Sequence, residues 1–276
     1  MKKQMRLIYH VPIVSFLAFF LGCSEADPVF VGNVDKVLVD IGSHRLQTYQ
    51  KGVGEIPVLF ESGLADMANV WNEKRLFDRV SESTKAIAYN RAGYAPSEPG
   101  PEPRSVQQIN EEMLGLLNQL GHDKVILVGH SLGGMFIRSF AINFPDRVAG
   151  LVFLDPSHED YTSENDPGAQ AAIDFFKNQY GENDIRYKEA KELPAIFDYS
   201  SSLPNLPDIP VVVISSMKLD GNKDESDRQN WFDAHARLGE GVSDFVHLGT
   251  DRSGHYIMID EPELVLDQLN KMLLKF

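Results

Sequence analysis

Apolar positions along this chain switch repeatedly between short continuous runs and spacings of three and four, which predicts strands interleaved with helices. Lys36–Ile41 and Arg45–Gln50 read as opening strands, Pro57–Phe60 as a third, Val70–Arg79 as a helix, Ala86–Tyr89 as a strand and Ser105–Leu120 as a helix. Further on, Val125–Val128, Ala149–Leu154, Pro210–Ser215 and Asp244–Leu248 read as strands, and Glu261–Lys275 as a final amphipathic helix. Such βαβ alternation implies a mostly parallel sheet, whose active sites lie at the carboxyl ends of the strands. The 276 residues suit one domain with a full core, and no repeat or low-complexity tract interrupts them.

The run Val125–Val128 ends abruptly in Gly129-His130-Ser131-Leu132-Gly133, after which Met135, Phe136, Ser139, Phe140 and Asn143 recur at helical spacing. This is the G-x-S-x-G nucleophile elbow in the strand-to-helix context that gives the motif its meaning. A turn that sharp forces the serine into a strained backbone, and strand and helix pass so close that the flanking residues must be small, as Gly129 and Gly133 are. Ser131 is the candidate nucleophile.

A serine hydroxyl is a weak nucleophile at neutral pH and needs a base, itself oriented by a third group. Of eight histidines, His255 stands out, because Gly249–Gly254 reads as the loop after the last strand and Ser253-Gly254-His255 closes it. His130 lies inside the elbow, where its side chain is expected to support the turn. His10 falls in a segment expected to be removed, and His44, His122, His158, His235 and His247 read as ordinary surface, loop or strand positions.

These motifs, together with Glu61-Ser62-Gly63-Leu64 after an apolar strand, Tyr89–Tyr94 with Ser97, and Leu151–Pro156, resemble the α/β-hydrolase fold family from about Lys36 to Phe276. The resemblance implies α/β architecture: a mostly parallel sheet of about eight strands flanked by helices, a helical cap between strands 6 and 7, and a triad in the chain order serine, acid, histidine. It also implies an oxyanion hole built from the backbone N–H groups of Leu64 and Leu132. The chain departs from the family pattern at Ser62, where many members carry histidine, and at Asn90, where many carry aspartate.

The family usually places the triad acid after the seventh strand, which makes Asp220 the first candidate, with Asp224, Glu225 and Asp227 behind it. The alternative is Asp155, at the end of the sixth strand, where some lipase-like members place theirs. Both loops border the far side of His255.

Between strands 6 and 7, residues 158–209 form a segment longer than a connection needs, the expected cap or lid. Ala171, Ile173, Phe175, Phe176 and Tyr180 form one apolar cluster at roughly helical spacing, and Leu193, Ile196, Phe197 and Tyr199 another. Most of these are expected to pack the cap onto the sheet edge, with a minority lining an acyl pocket. The segment holds eleven acidic against four basic residues, so an anionic substrate would approach against the field.

At the N-terminus, Lys2, Lys3 and Arg6 precede the apolar run Val11–Leu21, too short to span a bilayer and fitted to the h-region of a secretory signal. Phe20-Leu21-Gly22-Cys23 resembles the bacterial lipoprotein lipobox, with Phe20 in place of the usual leucine. The resemblance implies a signal peptide over 1–22, lipidation of Cys23, a tether over 23–35, and, with Ser24 rather than aspartate next, the periplasmic face of the outer membrane. A soluble secreted or periplasmic protein is the alternative. Cys23 is the only cysteine, so no intramolecular disulfide accounts for it. Loss of residues 1–22 would move the net charge from −14 to −17, which argues against nucleic acid as a partner.

The expected activity is that of a serine hydrolase, carboxylesterase-like, on a small or medium neutral ester, through an acyl-enzyme on Ser131. Lactonase, thioesterase, amidase and acyltransferase chemistry would use the same residues, whereas the dehalogenases and epoxide hydrolases of this fold use an aspartate nucleophile. A non-catalytic binding protein on the same fold is the alternative from another class. With no metal-ligand spacing and no G-x-G-x-x-G fingerprint, no cofactor and no metal are expected.

Overall fold

The computed structural model describes residues 30, 32–161, 167–220 and 223–276. Residues 1–22, Cys23 and most of the expected tether lie outside the described residues, as does the stretch 162–166 of the expected cap. The chain opens with an antiparallel hairpin of β1 (Asp35–Asp40) and β2 (Arg45–Lys51). It continues through β3 (Val58–Glu61), β4 (Ala86–Tyr89), β5 (Val125–His130), β6 (Val148–Leu154), β7 (Val211–Ser216) and β8 (Phe245–Thr250). The sheet order is β1-β2-β4-β3-β5-β6-β7-β8, with β2 antiparallel to β4 and every later pair parallel. This is the eight-stranded, mostly parallel α/β-hydrolase sheet that the sequence implied.

The central strands explain themselves by composition. β3, β4, β5, β6 and β7 are buried along their whole length, so their side chains are covered on both faces, and their β-branched and aliphatic runs need no polar alternation. On one face, Phe60, Val128, Val152 and Ile214 pack against α1 (Leu76–Val80), α8 (Ile257–Asp260) and α9 (Pro262–Leu273). On the other, Leu59, Leu127, Leu151 and Val213 meet α2 (Val106–Leu120) and α3 (Leu132–Asn143). Helix α2 starts where its cap residue dictates: the Ser105 hydroxyl accepts the N–H of Gln108, and Gly121 in left-handed backbone ends the helix.

Among the described residues, three helices, α4 (Pro167–Tyr180), α5 (Ile185–Ala190) and α6 (Leu193–Ser201), lie between β6 and β7. Phe176, Ala190, Leu193, Ile196 and Phe197 bury themselves against Leu64 and Ala65 of the loop after β3 and against Leu132, Met135 and Phe136 of α3. The inserted helices therefore sit on the carboxyl edge of the sheet, above the elbow.

Two elements differ from the sequence expectation. The helix expected over Val70–Arg79 is a 3₁₀ turn (Ala68–Asn72) followed by α1, broken at Arg75, whose φ of 63° lies outside the helical region. Helix α7 (Glu225–Ala236) was not expected at all, because nearly every face of it is polar. Its signal is a capping box: the Asp224 side chain accepts the Asp227 N–H, and the Asp227 side chain accepts that of Asp224.

Candidate active site

Ser131 lies between the end of β5 and the first residue of α3, 3% exposed, with φ 52° and ψ −124°. Backbone in that region is costly for a residue with a Cβ and persists because its surroundings hold it. The Ser131 carbonyl accepts the N–H groups of Gly134 and Ser157, and its own N–H donates to Leu154 O of β6. Glycine is needed at 133: a Cβ there would stand 2.4 Å from Glu61 O and 2.6 Å from Ser62 O. β3 and α3 thus touch backbone to backbone beneath the serine.

The loop after β8 brings His255 beside the elbow. The His255 and His130 rings lie 4.5 Å apart, and His130 Nε2–H donates to the His255 carbonyl at 3.0 Å. Burial first, and then the neighbouring His255, holds the His130 imidazole below its ordinary titration, so the neutral ring can act as that fixed donor. The His130 ring thus ties the histidine loop to the elbow.

The carboxylate that meets His255 is that of Asp155: Nδ1 to Oδ2 is 2.7 Å. Asp155 is buried, at a φ of 43°, where β6 ends. Its other oxygen accepts the Ser216 N–H at 2.9 Å and the Trp231 Nε1–H at 2.6 Å. Burial by itself would raise the carboxyl. The bond to His255, that ring's charge and the Trp231 bond outweigh burial and hold it below the usual carboxylate range.

Asp220, the first expectation for the acid, is placed elsewhere. Its Oδ1 accepts the Lys223 N–H at 2.9 Å, its Oδ2 pairs with Arg228 at 3.3 Å, and its side chain is 43% exposed. The expectation is corrected in favour of Asp155, which follows β6, the strand paired with the elbow strand β5, and whose carboxylate bonds His255 Nδ1. Asp220, by contrast, follows three residues of turn after β7 and is drawn to the start of α7.

Leu64 follows β3 and Leu132 begins α3, on either side of the elbow, and both are buried. The two departures from the family pattern have local roles. Ser62 Oγ accepts the Trp71 Nε1–H at 2.9 Å, while Asn90 Oδ1 accepts the Ala68 N–H at 2.9 Å and its amide donates to Ala95 O. Among the described residues, no group of three or more His, Cys, Asp or Glu side chains could hold a metal ion.

A family model for the alpha/beta hydrolase fold matches residues 56–201, more than half of the chain. The chain belongs to this family. Epoxide hydrolase 2 of Siraitia grosvenorii is 35% identical over 117 residues, 41% of this chain and 37% of that protein. The chain spans well under half the length of the curated relatives it matches. Among solved structures, the carboxylesterase CesB of Bacillus subtilis superposes with a TM-score of 0.62 at 17% identity, over 89% of this chain and 93% of that one. A Vigna radiata epoxide hydrolase mutant superposes at 0.67 with 14% identity, over 88% and 99%.

Within this α/β-hydrolase site, two buried or half-buried residues near the acid, Trp231 and His235, carry no local signal in the sequence. Trp231 lies on the unexpected α7. His235, assigned to an ordinary position, is fully buried between Pro156 and Ser215. The Pro156 carbonyl can only accept, so His235 Nε2 carries the proton and Nδ1 accepts from the Ser215 hydroxyl at 2.6 Å. Ser215 Oγ in turn accepts His247 Nε2–H at 2.8 Å. Burial drives the His235 ring down to about 3, so it stays neutral in this chain of bonds.

Proposed function

We propose that the chain is a serine hydrolase that cleaves small or medium neutral carboxylic esters through an acyl-enzyme on Ser131. The observation that carries this reading is the 2.7 Å pair of His255 and Asp155 on loops flanking a serine in strained elbow backbone. With Nδ1 donating to Asp155, the proposed base atom is Nε2. In the proposed cycle Ser131 Oγ attacks the ester carbonyl as its proton passes to His255 Nε2, and the oxyanion that forms is met by the N–H groups of Leu64 and Leu132. Collapse expels the alcohol, which takes the proton from His255. Water then attacks the acyl carbonyl, giving its proton to His255, and the acid leaves as Ser131 regains its hydrogen.

Relatives named as epoxide hydrolases raise the question of epoxide opening. Attack of a serine oxygen on an epoxide carbon would leave an alkyl ether, which water and an imidazole do not cleave, whereas an acyl ester is cleaved at its carbonyl. Carbonyl substrates therefore fit Ser131. Lactones, thioesters and amides differ only in the leaving group. Charge narrows the choice further: Asp66 Oδ2 stands 3.6 Å from His130 Nδ1, beside the elbow, and residues 158–209 are acidic, so neutral esters are favoured over anionic ones.

A fluorophosphonate probe and a graded series of p-nitrophenyl esters test the reading. Wild-type protein should be labelled at Ser131, and Ser131→Ala and His255→Ala should each lose on the order of 10⁴-fold in kcat while staying folded. A folded wild-type protein that is neither labelled nor active would make the chain a binding protein on a hydrolase fold.

Export with lipidation of Cys23 is proposed on the residue pattern of the N-terminus alone. No helix among the described residues is long and apolar enough to cross a membrane. Wild-type protein made in a bacterial host should partition with membranes, and Cys23→Ser should leave that fraction. Mass spectrometry of the N-terminus decides between a lipidated Cys23 and an ordinary secreted chain.

A further inference from the structure

Arg91, in the loop after β4, is 2% exposed, and all five of its N–H groups are engaged. Nε and Nη2 donate to the two carboxylate oxygens of Glu189 at 2.6 and 2.8 Å, and Nη1 donates to Glu61 Oε1 at 2.7 Å. The remaining two reach main-chain carbonyls, Ser62 O and Gly63 O, each at 2.7 Å. Glu61 and Glu189 are fully buried. Tyr89 OH donates to Glu61, and Tyr94 OH donates to Glu189 at 2.7 Å. Burial works against the guanidinium's charge, but the charge and hydrogen bonds of Glu189, together with Glu61, overcome it and keep Arg91 protonated well above its ordinary range.

The position of the second carbonyl matters chemically. Gly63 C=O and Leu64 N–H are the two ends of one peptide unit, and a cation bonded to the oxygen draws density from the nitrogen and makes its N–H a stronger donor. Gly63 O also accepts the Asp66 N–H at 3.3 Å, a neutral bond that adds to the same polarisation. Glu189 belongs to α5, so the guanidinium spans from the inserted helices to the loop after β3. A purely cohesive role accounts poorly for such a cluster, because apolar side chains of similar volume can replace buried ion pairs at little or no loss of stability.

We propose that Arg91 is a positioning residue for the oxyanion hole: its bond to Gly63 O strengthens and aims the Leu64 N–H, and Glu189 fixes the guanidinium from the inserted helices. The proposal rests on the reading of Ser131 as nucleophile and Leu64 as oxyanion donor. It assigns Arg91 no contact with substrate.

The test is the carbonyl stretch of the acyl-enzyme, measured by isotope-edited infrared difference spectroscopy after acylation with a ¹³C-carbonyl p-nitrophenyl ester of a hindered acid. Stronger oxyanion-hole bonds lower that frequency. Arg91→Lys keeps a charge but cannot reach all five acceptors, so the stretch should rise, with kcat falling on the order of tenfold and KM holding within about twofold. Glu61→Gln still accepts from Arg91 Nη1 but removes a competing negative charge, so its stretch should fall. Loosening of the loop would raise the frequency in both variants. An unchanged stretch in Arg91→Lys, or an unchanged or raised one in Glu61→Gln, overturns the proposal. If circular dichroism shows that Arg91→Lys does not fold, the sign in Glu61→Gln decides alone. Mass spectrometry separates this from the underlying reading: wild-type protein that carries no acyl group on Ser131 takes both down, whereas acylated protein with the wrong frequencies takes down only the role of Arg91.

Discussion

His255 Nδ1 lies 2.7 Å from Asp155 Oδ2, and the other oxygen of that carboxylate is held by a backbone N–H from Ser216 and an indole N–H from Trp231. The imidazole is thus presented by a carboxylate that cannot rotate away. Two strand ends and one helix cooperate in this: β6 supplies the acid, β7 a backbone donor and α7 the indole.

The two carboxylates should behave differently on neutralisation. Asp155→Asn should lower kcat on p-nitrophenyl esters on the order of 10⁴-fold, because the amide no longer holds the ring in its working tautomer. Asp220→Asn weakens a half-exposed pair with Arg228, worth about 0–1 kcal/mol, and should keep activity within about threefold. Collapse in Asp220→Asn beside full turnover in Asp155→Asn would reverse the assignment.

Trp231→Phe keeps the ring packing and deletes one donor to Asp155, leaving the Ser216 N–H in place. Losing a hydrogen bond to a buried carboxylate should cost about 1–3 kcal/mol in urea unfolding and about tenfold in kcat. Steady-state kinetics with the same ester series measures the second effect; a kcat equal to wild type counts against an orienting role for the indole.

Buried His235 makes stability depend on pH with a defined sign. Its ring titrates near 3 in the folded protein against 6.5 as the ordinary value, so between those limits the unfolded chain binds a proton that the folded one does not. Its contribution is complete above about pH 6.5 and is lost as pH falls toward 3, with a slope of about 1.4 kcal/mol per pH unit. His235→Gln retains a donor for Pro156 O and an acceptor for Ser215, and should flatten the dependence by that slope. Urea titrations at stepped pH measure it, and equal slopes in the two proteins would refute the account.

Much of the scaffold and part of the site were determined by the sequence alone. Strand and helix periods are local, and so is the demand for small residues around a strained serine. β5, Ser131, α3 and the loop position of His255 were therefore legible in short stretches of residues. Leu64 and Leu132 as oxyanion donors were what the family resemblance implied, and the structure places them after β3 and at the start of α3. Which carboxylate meets the ring was a different matter, because Asp155 and Asp220 both follow strands that end near His255, and nothing local separates them. The separation comes from tertiary contacts: Asp155, after the strand beside β5, bonds His255, while Asp220, in the turn after β7, pairs with Arg228 on α7. Only the tertiary structure brings in Trp231, His235 and the bond from Arg91 to Glu189. Their partners stand far away in sequence, a polar helix such as α7 carries no apolar stripe to announce it, and a buried charge leaves no periodic trace until its partners surround it.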